Sequence, residues 1–317
     1  MKASSSLPIF MSQKLKAMKL TKIVFCLMLL GGGLVSCIRE DFDGCYSSNR
    51  LLLSYKGDGT EEIFNDKICR VEMFVFDAEN KCVNSSILPR EQVESRTALL
   101  PTLAAGDYRI ICVGNTHATH INNVDACDYC KMCFASEDYV AGEVVSGNDS
   151  LYYASTYYTV QPYNGRDDNH EQTIEFASSH YDVAIEVAGI PAVESRAGAL
   201  PELQICGVTP MTDFENNATG EATDYILETQ YEPAGMLLTA RTNIMRHENH
   251  EDVNVCLFAA GSKDLLAKVN MAEFLAANPI IDCSKHEVLI PIRIEFKSGE
   301  VTVTVPEWYV ENVKPEF

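Results

Sequence analysis

Three cysteines and two histidines near the middle of the chain form its most metal-like cluster. Cys127, Cys130 and Cys133 are each separated by two residues, and His117 and His120 precede them. Tetrahedral zinc needs four thiolate or imidazole ligands, which these five side chains could supply. The spacing is tighter than in usual zinc pairs, and an iron–sulfur site lacks its expected fourth cysteine. The favoured interpretation is a loop with one disulfide and one remaining thiol, and we predict no required metal.

A second polar cluster lies at residues 247–251 (HENHE). Two histidines three residues apart, with carboxylates beside them, could hold a metal, but the H-E-x-x-H order of zinc proteases is absent. A solvated loop is the prediction. The chain also has no G-x-S-x-G, no P-loop and no Rossmann glycine series. We therefore predict no enzymatic activity and no cofactor.

The most specific chemical signal lies near the start of the chain, at residues 34–37 (LVSC). Lys19 and Lys22 form a positive segment, and the apolar run that follows, residues 23–30, is too short to span a bilayer. The order apolar, any, small, Cys is similar to the lipobox of bacterial lipoproteins. We expect cleavage between Ser36 and Cys37 and acylation of the Cys37 thiol. The alternative is an ordinary secretory signal in which this cysteine is incidental.

The predicted mature chain is more acidic than the whole sequence. The whole chain has 25 basic and 45 acidic residues and a net charge of −20, and five of the lysines precede Cys37. The mature chain therefore carries −25, which argues against nucleic acid as a partner and against a basic patch that docks on anionic lipid. Met18 is a better start for the signal than Met1, because residues 1–17 add no apolar length.

Beyond Cys45 the sequence favours strands almost throughout. Residues 68–77 (ICRVEMFVFD) are apolar on both faces and predict an internal strand that is covered on both sides. Residues 182–187 alternate and predict a half-buried strand at the rim of a sheet, whereas residues 117–149 indicate a polar insertion outside the strand pattern. The clearest hairpin turns at Ser298-Gly299, and the best helix spans residues 270–278.

Many short strands with little helix predict a mostly β protein made of two β-sandwiches in tandem. The pattern breaks at residues 189–201, where we place the domain boundary. The predicted order is a signal peptide, a lipidated acidic tether, an N-terminal sandwich and a C-terminal sandwich, at residues 1–36, 37–46, 47–190 and 191–317.

The order of these features resembles the FimB/Mfa2 family of anchor-type fimbrial lipoproteins of Bacteroidia, part of the type V pilus system. The likeness covers nearly the whole mature chain and is carried by residues 34–37 with Cys45 soon after, 63–64 (IF), 71–77 (VEMFVFD), 105–115 (AGDYRIICVGN) and 301–308 (VTVTVPEW). It implies two transthyretin-like β-sandwich domains, a lipid on the outer membrane and a place at the base of a pilus. The acidic residues after Cys37 also resemble the signal that sends lipoproteins of this phylum to the cell surface.

Two functions follow as hypotheses. The first is an anchor or accessory subunit of a fimbria, which tethers the pilus through Cys37, limits its length and has stalk or accessory subunits as partners. The second is a surface lipoprotein that binds glycans on a platform of exposed tyrosines. Alternating strand geometry is the simpler explanation of those tyrosines. The platform candidates are Tyr152, Tyr153, Tyr157, Tyr158 and Tyr163.

Overall fold

Alternating apolar and polar side chains direct most of the chain into short strands. A computed structural model describes residues 49–123, 129–162, 170–190 and 200–313, with the backbone alone for residues 311–313. All of these residues belong to one unit, Ser47–Phe317. The predicted signal peptide and tether lie outside the described residues. None of the described helices is long and apolar enough to cross a membrane.

The described elements confirm the mostly β fold. The strands up to residue 178 are β1 (Arg50–Ser54), β2 (Val71–Phe76), β3 (Cys82–Ile87), β4 (Thr97–Leu99), β5 (Gly106–Gly114), β6 (Thr119–Asn122), β7 (Cys133–Ser136), β8 (Tyr152–Val160), β9 (Glu171–Glu175) and β10 (Ala177–Ser178). The strands that follow are β11 (His180–Ala188), β12 (Glu202–Val208), β13 (Met211–Asp213), β14 (Ala218–Thr219), β15 (Thr223–Ile226), β16 (Thr229–Glu232), β17 (Leu237–Met245), β18 (Asn254–Phe258), β19 (Leu265–Asn270), β20 (Leu289–Lys297) and β21 (Glu300–Thr304). The helices are α1 (Phe64–Lys67), α2 (Arg90–Glu94), α3 (Glu137–Ala141), α4 (Met271–Ala277) and α5 (Glu307–Val313), with a 3₁₀ turn at Tyr129–Lys131.

Two sheets enclose the first core. One has the order β4-β1-β9 and the other the order β10-β8-β5-β2-β3. Val71, Met73 and Val75 of β2 face this core, whereas Phe74 and Phe76 of the same strand enter a different apolar cluster. The prediction of an internal strand with both faces covered is therefore confirmed.

A second pair of sheets encloses the second core. Their orders are β16-β17-β11-β20-β21 and β15-β12-β18-β19. Strand β11 is the middle strand of its sheet, antiparallel to β17 and parallel to β20, so the predicted rim position for residues 182–187 is wrong. The polar residues that suggested a rim position form ion pairs with the neighbouring strands. Asp182 pairs with Arg241 of β17, and Glu186 pairs with Arg293 of β20. The boundary between residues 190 and 191 stays a prediction, but β11, which precedes it, pairs within the sheets of the second core.

The segment predicted as a polar insertion instead connects the two halves. Strands β6 and β7 join β13 and β14 in a four-stranded sheet with the order β14-β13-β7-β6. Phe134 of β7 is fully buried in a third apolar cluster, together with Tyr129, Phe74 and Phe214. Val145, further along the segment, is part of the second core. The polar residues at the surface of this segment hid the few apolar ones that form its core contacts.

Two local predictions hold in detail. The hairpin β20–β21 turns at Ser298 and Gly299, whose φ angles of 55° and 86° suit the two-residue turn of a twisted hairpin. Helix α4 begins after Asn270, whose side chain accepts a hydrogen bond from the Glu273 backbone N–H at 3.0 Å. The predicted cap of residues 270–278 is thus confirmed.

Candidate functional site

The predicted lipid site cannot be placed in the fold, because Ser36 and Cys37 lie outside the described residues. The same holds for the acidic tether, residues 37–46. Acylation of Cys37 and the cleavage before it therefore stay predictions.

The candidate ligands of the cysteine loop are dispersed where the structure describes them. The His117 Nε2 atom lies 3.7 Å from the Cys69 sulfur, and His120 is exposed on β6. Cys133 lies on β7, and its sulfur is 3.9 Å from the Met211 sulfur. Across residues 49–123, 129–162, 170–190 and 200–313, no group of three or more His, Cys, Asp or Glu side chains is arranged to hold a metal. The Cys130 side chain is exposed on the 3₁₀ turn, and Cys127 lies outside the described residues.

The tyrosines proposed as a glycan platform point in different directions. Tyr152 and Tyr158 are buried in the first core, and Tyr153 is buried in the third cluster. Tyr157 alone among the four described tyrosines is widely exposed, at 73%, and Tyr163 lies outside the described residues. Alternation along β8 accounts for this pattern, so the four described residues do not form a stacking surface.

The second polar cluster is more ordered than a solvated loop. His247 is buried and its Nδ1 atom lies 2.8 Å from the Met245 carbonyl oxygen, while its Nε2 atom lies 3.1 Å from Nδ1 of His250. Burial lowers the pKa of His247, and burial together with the neighbouring His247 lowers the pKa of His250 to about 4. Both imidazoles are therefore neutral near pH 7. They line a cleft of about 720 Å³ with Tyr181, Arg246, Glu248 and Cys283.

The edge strand β21 is the most open element of the second sandwich. All five of its residues are exposed, and β20 is its single partner in the sheet. In a hairpin with a two-residue turn, the flanking residues Lys297 and Glu300 form a hydrogen-bonded pair, and such pairs alternate along the strands. The backbone groups of Val301 and Val303 therefore point away from β20, toward the open edge.

The apolar face of β21 continues the core without being covered. Val301 lies opposite Phe296 and Val303 opposite Ile294, so both valines share the face that Ile294 buries in the second core. Their side chains are nevertheless 44% and 37% exposed. An apolar strip thus runs from the core to an edge that has unpaired backbone groups.

The segment after β21 is fixed by Glu186 of β11. One oxygen of its carboxylate accepts a hydrogen bond from the Trp308 indole N–H at 2.7 Å, and the other accepts one from Arg293 at 2.8 Å. Val305 and Tyr309 pack against the second core. These contacts hold the chain beyond β21 against its own sandwich and leave the strip at Val301 and Val303 uncovered.

A carboxylate just before β20 joins the second half to the first. Glu287 accepts hydrogen bonds from the hydroxyls of Tyr55 and Tyr152 and from the Lys67 ammonium. Burial raises the pKa of Glu287, but the hydrogen bonds from Lys67, Tyr55 and Tyr152 outweigh it and hold the pKa below its usual value. Burial, and after it the Glu287 carboxylate, raises the pKa of Tyr55.

Sequence reasoning missed Glu287 because its partners are more than a hundred residues away along the chain. It also missed the buried histidine pair, because a short run of His, Glu and Asn has the composition of a solvated loop. The signal that would have found the pair is the apolar run that precedes it, residues 244–245, which draws His247 inward.

Comparison with known proteins adds a family assignment to this geometry. The family described as fimbrillin-A associated anchor proteins Mfa1 and Mfa2 matches residues 42–314 of the chain. Among curated proteins no sequence matches it.

Several solved structures share the fold at low sequence identity. The fimbrial anchor protein Mfa2 from Porphyromonas gingivalis aligns with a TM-score of 0.64 at 12% identity, over 81% of this chain and 95% of that one. A candidate adhesin from Bacteroides ovatus aligns with a TM-score of 0.67 at 16% identity, over 82% and 94%. A candidate polysaccharide-binding protein from Bacteroides thetaiotaomicron aligns with a TM-score of 0.62 at 13% identity, over 82% and 99%.

Proposed function

Because the chain belongs to the Mfa2 family of fimbrillin-A associated anchor proteins, we propose that it is a subunit that holds a type V fimbria on the outer membrane. In this proposal the lipid on Cys37 ties the protein to the cell surface, and residues 37–46 form a solvated tether. Fimbrial stalk or accessory subunits are its partners. The protein also ends the growing fibre and so limits its length.

The observation that carries this proposal is the open edge at β21. An incoming strand that lies beside β21 would pair with the outward backbone groups of Val301 and Val303 and would place alternate apolar side chains over the strip. The opposite edge strand of the same sheet, β16, offers less, because Gln230 and Glu232 are its exposed residues.

Magnitudes show which part of such a contact matters. Full burial of a valine is worth about 1.5–3 kcal/mol, so covering the exposed parts of Val301 and Val303 contributes about 1 kcal/mol each. Two valines alone would not hold a polymer against pulling forces. The row of backbone hydrogen bonds and the apolar residues of the incoming strand must supply most of the affinity, so β21 acts mainly as a template.

The charge of the chain agrees with a body held away from the membrane. The mature protein would carry −25, so anionic lipid and nucleic acid would both repel it. A lipid on Cys37 provides the membrane contact that the surface itself does not. The proposal assigns no catalytic step to the protein.

A proline at position 303 tests the edge directly. Val303→Pro removes a backbone N–H that points away from β20, so the hairpin keeps its ladder while the template loses a donor. We expect cells with this variant to release fibres into the medium. Val303→Thr keeps the donor and the β-branched shape and should retain the fibres.

Immunoblots of cells and of cell-free medium against the stalk subunit measure the outcome. Equal surface amounts of both variants, checked by protease accessibility, exclude a trivial loss of export. If Val303→Pro cells keep their fibres as wild type does, strand addition at β21 is wrong.

Glycan binding is the weaker alternative. Three of the four described platform tyrosines are buried, which removes the surface on which that hypothesis depended. A glycan array probed with the purified chain tests this alternative. Glycan binding would be favoured if the chain bound glycans on the array and cells without the protein still kept their fibres.

A further inference from the structure

The paired histidines beside Tyr181 lie in a cleft for which the proposed function has no use. The cleft holds about 720 Å³ and is lined mostly by polar side chains from several segments. Arg246 shapes one wall, because its guanidinium packs 5.0 Å from the Tyr181 ring and donates to the carbonyl oxygens of Cys283 and Lys285. The cleft is thus a built feature of the second half.

Hydrogen bonding fixes which nitrogen of His247 carries the proton. The Met245 carbonyl oxygen can only accept, so Nδ1 of His247 must donate to it at 2.8 Å. In a neutral imidazole the other nitrogen then has a free lone pair. A backbone carbonyl that orients the ring in this way is the arrangement usual for histidines that bind metals.

The second histidine points its Nδ1 atom at that lone pair. His250 Nδ1 lies 3.1 Å from His247 Nε2, and the ring planes are inclined by 64°. Since His247 Nε2 accepts, His250 Nδ1 donates. If the His250 proton moves to its own Nε2 atom, both facing nitrogens offer lone pairs, and no net proton is released.

The separation of these two nitrogens suits one transition-metal ion. Two nitrogens that are each about 2.05 Å from an ion and 3.1 Å apart subtend roughly 100° at it. That angle lies between the square-planar and tetrahedral values that copper and zinc adopt. The ion would lie off the line that joins the two nitrogens, so both rings must turn from their hydrogen-bonded orientation before their lone pairs converge on it.

We propose that His247 and His250 form a two-imidazole site for a divalent transition-metal ion of the zinc, copper or nickel class. No third His, Cys, Asp or Glu among the described residues completes a ligand group, so the remaining coordination positions face the cleft and are open to water or to an outside ligand. Glu248 also lines the cleft, and the strongly acidic chain raises the local concentration of cations.

Zinc titration of the full chain tests the site. The protein is purified in detergent with an affinity tag that contains no histidine, and zinc chloride is added in a non-chelating buffer at neutral pH while heat is recorded. We expect one zinc ion per chain. His250→Gln should weaken that binding about tenfold or more, because the amide can still donate to His247 but cannot act as an imidazole ligand.

Two controls locate the ion. His120→Gln removes an exposed histidine on β6 and should bind zinc as wild type does. Replacement of Cys127, Cys130 and Cys133 by serine should likewise leave the affinity unchanged. If either control variant lost zinc binding while His250→Gln kept it, the ion would belong to the cysteine loop and the proposal would be overturned.

Two further readouts separate a metal site from a hydrogen-bonded pair. Zinc should raise the melting temperature of wild type and of His120→Gln but not of His250→Gln. In wild type, nitrogen NMR of the seven histidines should show two imidazoles that change on zinc addition. No zinc uptake by wild type, or equal uptake by His250→Gln, would mean that the histidines form a hydrogen-bonded pair only.

Discussion

Replacement of Glu287 by glutamine should destabilise the junction between the two halves. The carboxylate accepts from Tyr55 and Tyr152 of the first half and forms a 2.6 Å ion pair with Lys67. A glutamine keeps one acceptor oxygen but places an NH₂ group among three donors, so at least one partner is left unpaired. The exchange changes one group and leaves the shape of the side chain nearly intact.

The expected loss follows from the number and exposure of these contacts. A hydrogen bond to a charged group is worth about 1.5–3 kcal/mol. The Lys67 and Glu287 side chains are 38% and 31% exposed, so solvent reduces the contribution of that pair. We expect Glu287→Gln to lower the free energy of unfolding by about 2–4 kcal/mol. Glu79→Gln, an exposed exchange of the same type in a turn, should stay within about 0.5 kcal/mol.

The pH dependence of this difference has a defined sign. The folded-state pKa of Glu287 lies below its usual value, because the Lys67 and tyrosine hydrogen bonds outweigh burial. Its stabilisation is therefore fully present above the unfolded-state pKa of about 4.3 and is lost as the pH falls through the folded pKa. Urea titrations of both variants and of wild type at pH 7 and at several values below 4.5 measure it. A difference below about 0.5 kcal/mol at pH 7, or one that grows on acidification, would refute the reasoning.

Three further predictions concern the lipid site, the cysteine loop and a helix cap. Cys37→Ser should abolish incorporation of a fatty-acid analogue and release the protein from membranes, because no other side chain forms the thioether, and label retained by the variant would exclude the lipoprotein assignment. Replacing Cys127, Cys130 and Cys133 by serine should leave the zinc content from elemental analysis unchanged and cost no more than about 1 kcal/mol per exposed site, with a larger cost at the half-buried Cys133 on β7. Asn270→Ala should lower stability by about 1 kcal/mol, because the Glu273 N–H loses its cap, whereas Asn270→Asp should keep it.

The sequence predicted those elements whose pattern is local. Alternation from Val288 through Phe296, followed by Ser298-Gly299, defines the β20–β21 hairpin, and the spacing of Asn270 and Glu273 defines the start of α4. Both depend on residues only a few positions apart. Periodicity and capping are therefore sufficient evidence for them.

Contacts between distant segments were not predictable in this way. The middle position of β11 depends on pairing with β17 and β20, which lie far along the chain. Phe134 lies in a short apolar run, residues 132–135 (MCFA), but nothing in that run shows that its strand β7 would pair with the distant β13. The Glu287 junction was missed for the same reason, since Tyr55, Lys67 and Tyr152 come from distant parts of the sequence. The buried His247 was missed because its own short run has the composition of a solvated loop.

The distribution of fimbrial subunits between cells and medium tests the anchor role most directly. Deletion of this protein should leave the subunits made and assembled but shed into the medium, as longer fibres, and wild type should return them to the cell. Cys37→Ser should restore fibre length without attachment. Immunoblots of cells and cell-free medium, with electron microscopy of the fibres, measure both effects. Fibres that stay on the cell at unchanged length in the deletion strain would contradict the anchor function.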